Sequence, residues 1–267
     1  MFRIAKLISL ITFLLTSASC FQSSPAQARK YPIPNRAFVK VYKHVQVLKC
    51  KKKKCPKNLY TASGSGASIK LDLGKNNQIN GSIILTAAHM CDWDMKELPG
   101  EVTKIDAKIT ILDYTNSRHE VRVMYLSNSK NLDLCLLLAP NVFVPKITIS
   151  KNAPEIGDRV IAMAAPGGVY HPPIVPIFEG IFSGEVGDDY SLTTIPAMGG
   201  SSGSAILNEK SRLVGVLFAV STIFKRISLV TNYKKTISFI SDCTLKIKKT
   251  LLEEKKPPNM SLPKHNK

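Results

Sequence analysis

Short apolar segments recur at regular intervals through most of the chain, and this pattern constrains the fold more than any other feature. From about residue 38 to 147, segments rich in Val, Ile and Leu alternate with turns rich in Gly, Asn and Lys: FVKVYKHVQVL, GASIKLDL, GSIILTAA, AKITILDY, HEVRVMYL and DLCLLLA. After a connecting stretch over 140–158, the pattern resumes with RVIAMAAPGG, PIVPIFEGIFSGEV, YSLTTI, GSAILN, RLVGVLFAV and ISLVT. Short strands at such spacing are typical of an all-β sandwich or barrel. Two strand sets of similar size favour two similar barrels.

A helical pattern is confined to the end of the chain. Apolar residues at positions 237, 240, 247 and 251, with Thr244 on the same face, form one helical stripe there. This spacing predicts an α-helix over 232–254. The remaining stretch, 255–267, is polar and contains proline, so we expect a disordered tail.

The first residues predict an export signal. Two basic residues precede an apolar run over 7–15 that is too short to span a bilayer, and an A-x-A cleavage site ends at Ala28. We therefore expect residues 1–28 to be a signal peptide. The mature chain, without a transmembrane helix, would be periplasmic or secreted. Lipoprotein processing with an anchor at Cys20 is the alternative.

The formal net charge of +18 is unevenly distributed along the chain. Residues 29–60 contain eleven Lys or Arg and no Asp or Glu. The charge alone fits nucleic-acid binding. However, the basic residues are not interleaved with aromatic ones, and no recognition-helix signature accompanies them. We therefore favour a solvated basic face that contacts anionic cell-surface polymers.

Two cysteines bracket the basic run KCKKKKC, and export permits disulfides. A local bridge between Cys50 and Cys55 would hold this run as a tight loop. The C-x₄-C spacing also suits half of a metal site, but no second Cys or His pair lies at a suitable spacing, so we predict no metal. Cys243 is our candidate for the unpaired thiol.

The stretch IPAMGGSSGSAIL, residues 195–207, is either a flexible loop or a backbone shaped to present a nucleophilic serine. Its glycines permit backbone angles that side chains forbid. A G-x-S-G segment before an apolar strand can expose one hydroxyl beside converging N–H groups. These features favour Ser202 as the nucleophile, with the N–H groups of Gly200 and Ser202 forming an oxyanion hole. Because Gly/Ser loops are common, the assignment depends on partners elsewhere.

A serine nucleophile needs a base, and the base needs an acid to orient it. His89 ends the apolar segment SIILTAAH, after small residues that leave room for an imidazole at a barrel rim. Asp133 lies inside the apolar run NLDLCLLLA, where burial of a carboxylate is costly unless it has a partner. An imidazole N–H would provide that partner. The order His89, Asp133, Ser202 therefore predicts a catalytic triad.

Six segments taken together resemble a chymotrypsin-fold serine protease, similar to the short bacterial and viral trypsin-like peptidases: GSGASI, ILTAAHMC, NLDLCLL, GIFSGE, GGSSGSAIL and LVGV. They occur in the correct order over about residues 36–235. The resemblance implies an all-β fold of two six-stranded antiparallel β-barrels with a C-terminal α-helix. The barrels would cover 36–147 and 148–231, with the active site in the cleft between them.

The resemblance also implies the role of each candidate residue. His89 would be the general base, Asp133 its orienting acid and Ser202 the nucleophile, without a cofactor. Cys91 and Cys135 each follow a triad member by two residues, so the family geometry would bring them within disulfide range. Two buried free thiols are the alternative.

Two serines depart from the family pattern. Ser201 stands where trypsin-like zymogens have an aspartate that pairs with a new N-terminus, and no IVGG-like segment precedes the first barrel. We therefore expect the oxyanion hole to be formed from the outset. Ser204 replaces a glycine, as in the bacterial glutamyl endopeptidases. However, GVLFAV lacks the histidine of that group, so we do not expect specificity for Glu.

The resemblance places the substrate-binding pocket at five residues: Pro196, Ala197, Phe218, Ala219 and Val220. None of them is acidic, so none would bind Lys or Arg. Val220 stands where deep-pocket enzymes have glycine. We therefore expect a shallow apolar pocket that accepts small or modest apolar side chains before the scissile bond.

The predicted function is an exported serine endopeptidase that binds its polypeptide substrate as an extended strand and forms an acyl-enzyme. The alternative is a catalytically vestigial binding module of the same fold, which docks on anionic surface polymers through residues 29–60. An esterase with the same triad is a third reading, but the strand–turn–helix setting of a hydrolase nucleophile is absent.

Overall fold

The computed structural model describes residues 31–51, 59–75, 78–93, 98, 101–127, 132–221, 223–224 and 226–254. The predicted signal peptide with Cys20, the predicted tail and Cys55 lie outside the described residues. From Ile33 onward the described chain forms one compact unit. The predicted boundary between barrels near residue 147 therefore stays a prediction.

The first strand set contains seven strands: β1 (Phe38–Cys50), β2 (Leu59–Ser68), β3 (Gly81–Thr86), β4 (Val102–Leu112), β5 (Arg118–Glu120), β6 (Arg122–Leu126) and β7 (Cys135–Pro140). They pair antiparallel in the order β5-β4-β1-β2-β3-β7-β6. Only Val121 separates β5 from β6, and its N–H donates to the carbonyl of Ile109 in β4. One bent segment thus pairs with β4 at its start and with β7 at its end. The two edge strands of this seven-stranded sheet, β5 and β6, are therefore almost continuous in the chain, so the sheet curves as a half-barrel.

The second strand set is a closed barrel of six strands: β8 (Arg159–Met163), β9 (Ile177–Val186), β10 (Tyr190–Thr193), β11 (Ser204–Leu207), β12 (Leu213–Val220) and β13 (Ser228–Thr231). The predicted connecting stretch carries isolated bridges to both sets, since Ile147 pairs with Ile69 and Ile149 pairs with Leu213. The expected all-β architecture is confirmed.

Alternating apolar residues build the strands, and their buried side chains form a core that runs through both sets. In β1 the residues Val39, Val41, Val45 and Val47 face inward, as a period of two requires. In β3 all six residues are buried, including the polar Ser82 and Thr86 that flank its three consecutive apolar residues. One continuous cluster joins residues of both strand sets and of the helix: Phe38, Leu136, Ile161, Leu207 and Ile240.

Helix α1 (Tyr233–Glu254) follows the second barrel, as the sequence predicts. It begins after Asn232, whose side-chain oxygen accepts the N–H of Lys235 and so caps the first turn. The buried stripe includes Ile240, Cys243 and Ile247, which face the strands. In the described part of the chain, no helix has the length and apolar character needed to cross a membrane.

A buried carboxylate orders the turn between β4 and β5. Asp113 Oδ1 accepts the N–H groups of Thr115 and Ser117, and its Oδ2 lies 2.8 Å from Nε2 of His119. Burial raises the pKa of Asp113, but the hydrogen bonds from Thr115, His119 and Ser117 together bring it below the ordinary value of 3.8. The ionised carboxylate therefore stabilises this turn.

Candidate active site

The chain leaves β3 in a tight turn that presents one imidazole to solvent. After Thr86, the wholly buried Ala87 leads into a single 3₁₀ turn, Ala88–Met90. Met90 is also buried, so both sides of His89 are anchored in the core. The side chain of His89 between them is 47% exposed. The imidazole therefore stands at the rim of the first strand set, as the small residues of TAAH predict.

Asp133 holds His89 through two hydrogen bonds. Its Oδ2 lies 2.6 Å from Nδ1 of His89, and its Oδ1 accepts the backbone N–H of the same residue at 2.9 Å. With the Nδ1 proton directed at the carboxylate, Nε2 is the nitrogen available as a base. Asp133 was expected inside a buried strand. It lies instead just before β7 with 23% of its side chain exposed, where it contacts both the imidazole and the backbone of the turn.

Strand pairing brings these residues together and also positions a disulfide. Thr86 of β3 is paired with Cys135 of β7. Because the two strands are antiparallel, the segment that follows Thr86 and the segment that precedes Cys135 leave the sheet at the same end. Cys91 and Cys135 form a disulfide with a Cα–Cα distance of 6.5 Å. Among the described cysteines, Cys243 is free and buried. The predicted Cys50–Cys55 bridge involves a residue outside the described part.

The Ser202 loop is folded tightly against the His89 segment. Gly203 has φ +89°, and a Cβ on it would lie 2.0 Å from the carbonyl oxygen of Ser65 and 3.1 Å from the nitrogen of Ala87. Only glycine allows this approach. The carbonyl of Ser202 accepts the N–H of Ser65 at 2.7 Å. The conformation that the glycines of GGSSGS suggested is therefore fixed by contacts with β2 and with the residue that follows β3.

The Ser202 hydroxyl donates to the carbonyl of Phe218 at 3.4 Å. No hydrogen bond joins Ser202 to His89 in the part of the chain that the structure describes. Catalytic hydrogen bonds in sites without substrate are often long and tighten only when substrate binds. The long hydrogen bond to Phe218 leaves the hydroxyl free to turn towards a base.

Between Gly200 and Ser204, two backbone N–H groups have no acceptor among the described residues. They belong to Gly200 and to Ser202 itself, whereas the N–H groups of Ser201, Gly203 and Ser204 all donate within the protein. The carbonyl of Ser201 accepts both the N–H and the hydroxyl of Ser204, the latter at 2.7 Å. Since a trans peptide directs its N–H opposite its C=O, the N–H of Ser202 points away from these donors. Such a pair of unpaired donors can bind an oxyanion.

The family can now be assigned. Residues 64–216 match the family described as the trypsin-like peptidase domain, a range that begins before His89 and ends after Ser202. The chain belongs to the trypsin-like peptidases. No curated protein matches it.

Two solved structures have the same fold as this peptidase. A serine endoprotease from Yersinia pestis has a TM-score of 0.56 and 19% identity, over 79% of this chain and 64% of that one. A protease from M. tuberculosis, solved in its active form, has a TM-score of 0.55 and 15% identity, over 78% of this chain and 81% of that one. The peptidase thus spans less than two thirds of the Yersinia protein. At these identities the likeness shows the chymotrypsin-like two-barrel fold.

The five predicted pocket residues of the peptidase do not all pack together. Ala197 and Val220 pack in the same apolar cluster of the second barrel, which suits a shared pocket wall. Phe218 packs instead against the cluster that contains Met90 and Cys91, on the side of the first strand set. Pro196 is exposed to solvent. The sequence could not distinguish Phe218 from Ala197 and Val220, because a contact between residues of the two strand sets leaves no pattern in the local sequence.

Three of the predicted pocket residues, Phe218 to Val220, lie on an open strand edge. The pairing of β11 with β12 ends at Ser204 opposite Leu217. Beyond it, Ala219 and Val220 pair only with β13, on the other side. The backbone from Phe218 to Val220 is thus an unpaired edge among the described strands, and an extended chain can pair with such an edge.

Sequence reasoning missed several residues that hold the site together. Lys43 donates from Nζ to the carbonyl of His89 at 3.0 Å and also to that of Asp92. Ser65 contacts the Ser202 loop through its backbone and its side chain. The sequence pattern identified Lys43 only as one of the basic residues over 29–60, and Ser65 only as a member of the segment GSGASI. No group of three or more metal-binding side chains occurs in the described ranges.

Proposed function

We propose that this peptidase is a serine endopeptidase with a triad of His89, Asp133 and Ser202. One observation carries the proposal: a histidine whose imidazole and backbone N–H are both bound by one carboxylate lies beside a serine loop in which the N–H groups of Gly200 and Ser202 have no acceptor among the described residues. Each component has a separate task in acyl transfer, and the chain supplies all of them without a cofactor.

The chemistry follows from the hydrogen bonds. Nε2 of His89 takes the proton of Ser202 as its Oγ attacks the scissile carbonyl carbon. The N–H groups of Gly200 and Ser202 bind the resulting oxyanion. The imidazolium, stabilised by Asp133, then protonates the leaving amine as the C–N bond breaks, and an acyl-enzyme remains. Water, deprotonated by His89, hydrolyses the ester and restores the Ser202 hydroxyl.

Substrate recognition would use the open edge of β12. An extended polypeptide adds beside Phe218–Val220, so that main-chain hydrogen bonds provide affinity that tolerates many sequences. Ala197 and Val220 would line an apolar pocket for a small or modest side chain before the scissile bond. Ser201 donates its N–H to Met198 within the loop. This local bond supports a hole formed without pairing to a new N-terminus.

Export is part of the same proposal. The signal-like residues 1–28 and the disulfide between Cys91 and Cys135 both suit an oxidising compartment, the periplasm or the extracellular space. Cleavage after Ala28 is the favoured processing event, and lipidation at Cys20 is the alternative. Mass spectrometry of the mature chain from an exporting host distinguishes the two.

Labelling with a fluorophosphonate tests the activity. The folded wild-type chain is expected to label, and Ser202→Ala is expected not to, whereas Ser183→Ala removes an exposed serine of β9 and should label normally. Cleavage of an internally quenched peptide with both ends blocked then establishes endopeptidase activity. A folded wild type that does not label favours the vestigial binding module, and labelling of Ser202→Ala would show that another serine is the nucleophile.

A further inference from the structure

Ser65 is a wholly buried serine of β2 that contacts the Ser202 loop with two polar groups and the end of β3 with a third. Its N–H donates to the carbonyl of Ser202 at 2.7 Å, and its hydroxyl donates to the carbonyl of Gly200 at 2.8 Å. Its own carbonyl accepts the hydroxyl of Thr86, at the end of the strand that leads to His89. One residue of the first strand set thus connects the base segment, the nucleophile and one donor of the proposed oxyanion hole.

The orientation of the Gly200 N–H depends on its neighbours. Gly200 has φ +94°, and a glycine backbone turns easily between orientations. Two hydrogen bonds hold it, one on each side. The N–H of Gly167 donates to the carbonyl of Gly199 at 2.7 Å, and Ser65 donates to the carbonyl of Gly200. The first bond fixes the peptide that carries the Gly200 N–H, and the second fixes the next peptide.

The hydroxyl of Ser65 is itself oriented by the second strand set. The N–H of Ala165 donates to Ser65 Oγ at 3.0 Å. Because this oxygen accepts there, its single proton is directed towards the carbonyl of Gly200. The hydroxyl therefore links two loops of the second strand set, the one after β8 and the one that carries Ser202.

We propose that Ser65 is a positioning residue, whose hydroxyl holds the Gly200–Ser201 peptide. This peptide lies between the two that carry the proposed oxyanion donors, so holding it keeps the N–H groups of Gly200 and Ser202 directed into one oxyanion hole. The inference rests on the proposed function and adds to it a residue that acts through Gly200 without contact with substrate. Oxyanion contacts are strongest in the transition state. The loss of the hydroxyl must therefore slow the chemical step and leave binding of the reagent almost unchanged.

The test compares two buried serines of the same sheet. Ser65→Ala removes the proposed positioning group. Ser82→Ala is the matched control, because Ser82 is also wholly buried and its Oγ accepts one backbone N–H, that of Val144, at 2.9 Å. Labelling by a fluorophosphonate is followed over a range of reagent concentrations. This separates the limiting rate at saturation from the concentration that gives half of it.

For Ser65→Ala we expect the limiting rate to fall by about 10- to 100-fold, somewhat less than the loss of a whole oxyanion donor. The half-saturating concentration should stay within about threefold of the wild-type value. Ser82→Ala should keep both within about threefold. If Ser65→Ala labels as fast as wild type, or if Ser82→Ala slows as much, the inference is wrong.

Ser65→Cys keeps the side-chain shape with a weaker donor, and is used if the alanine variant does not fold. Its limiting rate should be at least tenfold below that of the wild type, and a wild-type rate would overturn the inference. Wild-type labelling is measured first. Without it the proposed function fails, whereas labelling that is insensitive to Ser65 overturns the inference alone.

Discussion

Removal of the Cys91–Cys135 disulfide should cost a large amount of stability and little activity. The bridge spans 44 residues. In the chain-entropy treatment, a closed loop of that length destabilises the unfolded state by about 4 kcal/mol at 25 °C. For a domain of this size, each kcal/mol corresponds to a shift of about 2–4 °C in Tm. The double variant Cys91→Ala/Cys135→Ala should therefore unfold roughly 10 °C below the wild type.

Activity should survive because other contacts hold the His–Asp pair. β3 and β7 stay paired at Thr86 and Cys135 through the backbone, and both hydrogen bonds from His89 to Asp133 are independent of the bridge. Below its melting temperature, the double variant should label with fluorophosphonate within about threefold of the wild-type rate.

Chemical unfolding followed by circular dichroism measures the stability change, and labelling of the folded variant measures the activity. Cys243→Ala is the matched control, because it removes a buried thiol that cross-links nothing and should cost only about 1 kcal/mol. A loss below about 1 kcal/mol for the double variant would refute the entropic argument. A folded double variant that labels more than thirtyfold slower would show that the bridge itself positions the catalytic pair.

Three further predictions concern single residues. Asp133→Asn presents an amide to the imidazole and favours the wrong tautomer, so the labelling rate should fall by about 10³- to 10⁴-fold; a rate near that of the wild type would remove Asp133 from the triad. Gly203→Ala forces a Cβ to 2.0 Å from a backbone oxygen, and should lower Tm far more than Gly187→Ala, which has a positive φ but open space around it; equal losses would contradict the close approach. The folded-state pKa of Asp113 is lowered, so its contribution to stability is present above its ordinary pKa of 3.8 and is lost as the pH falls through and below that value. The difference in unfolding free energy between wild type and Asp113→Asn should therefore shrink below about pH 4, and a constant difference down to pH 2 would contradict this.

The triad candidates were predictable because each has a local sequence signal. His89 follows an apolar strand and small residues, and Ser202 stands among glycines that a tight turn requires. Asp133 was found for a partly wrong reason, since it precedes its strand and is not buried within it. The error did not matter, because a carboxylate beside an apolar run needs a partner in either position.

The residues that hold the site could not be predicted, because their partners are remote in sequence. The hydroxyl of Ser65 contacts Gly200 and Ala165, which are 135 and 100 residues away. Ser65 and Ser82 are both buried serines that directly follow a glycine, so their local sequence patterns are alike. The hydroxyl of Ser65 nevertheless contacts the Ser202 loop, whereas that of Ser82 contacts only an ordinary connection at Val144. Only the pairing of the two strand sets distinguishes them.

The eleven basic residues over 29–60 are the clearest case of a sequence pattern that led to a partly wrong expectation. The basic residues over 29–60 were expected on a solvated face. Lys40 is instead only 8% exposed, since the loop after β8 covers it, and its Nζ donates to the carbonyl of Gly168 at 2.5 Å and lies over the ring of Tyr42. Lys43 donates to the carbonyl of His89. Two of the eleven charges assigned to an anion-binding face therefore satisfy carbonyls next to the candidate active site, so the charge count overstates the basic surface that is available to bind an anionic polymer.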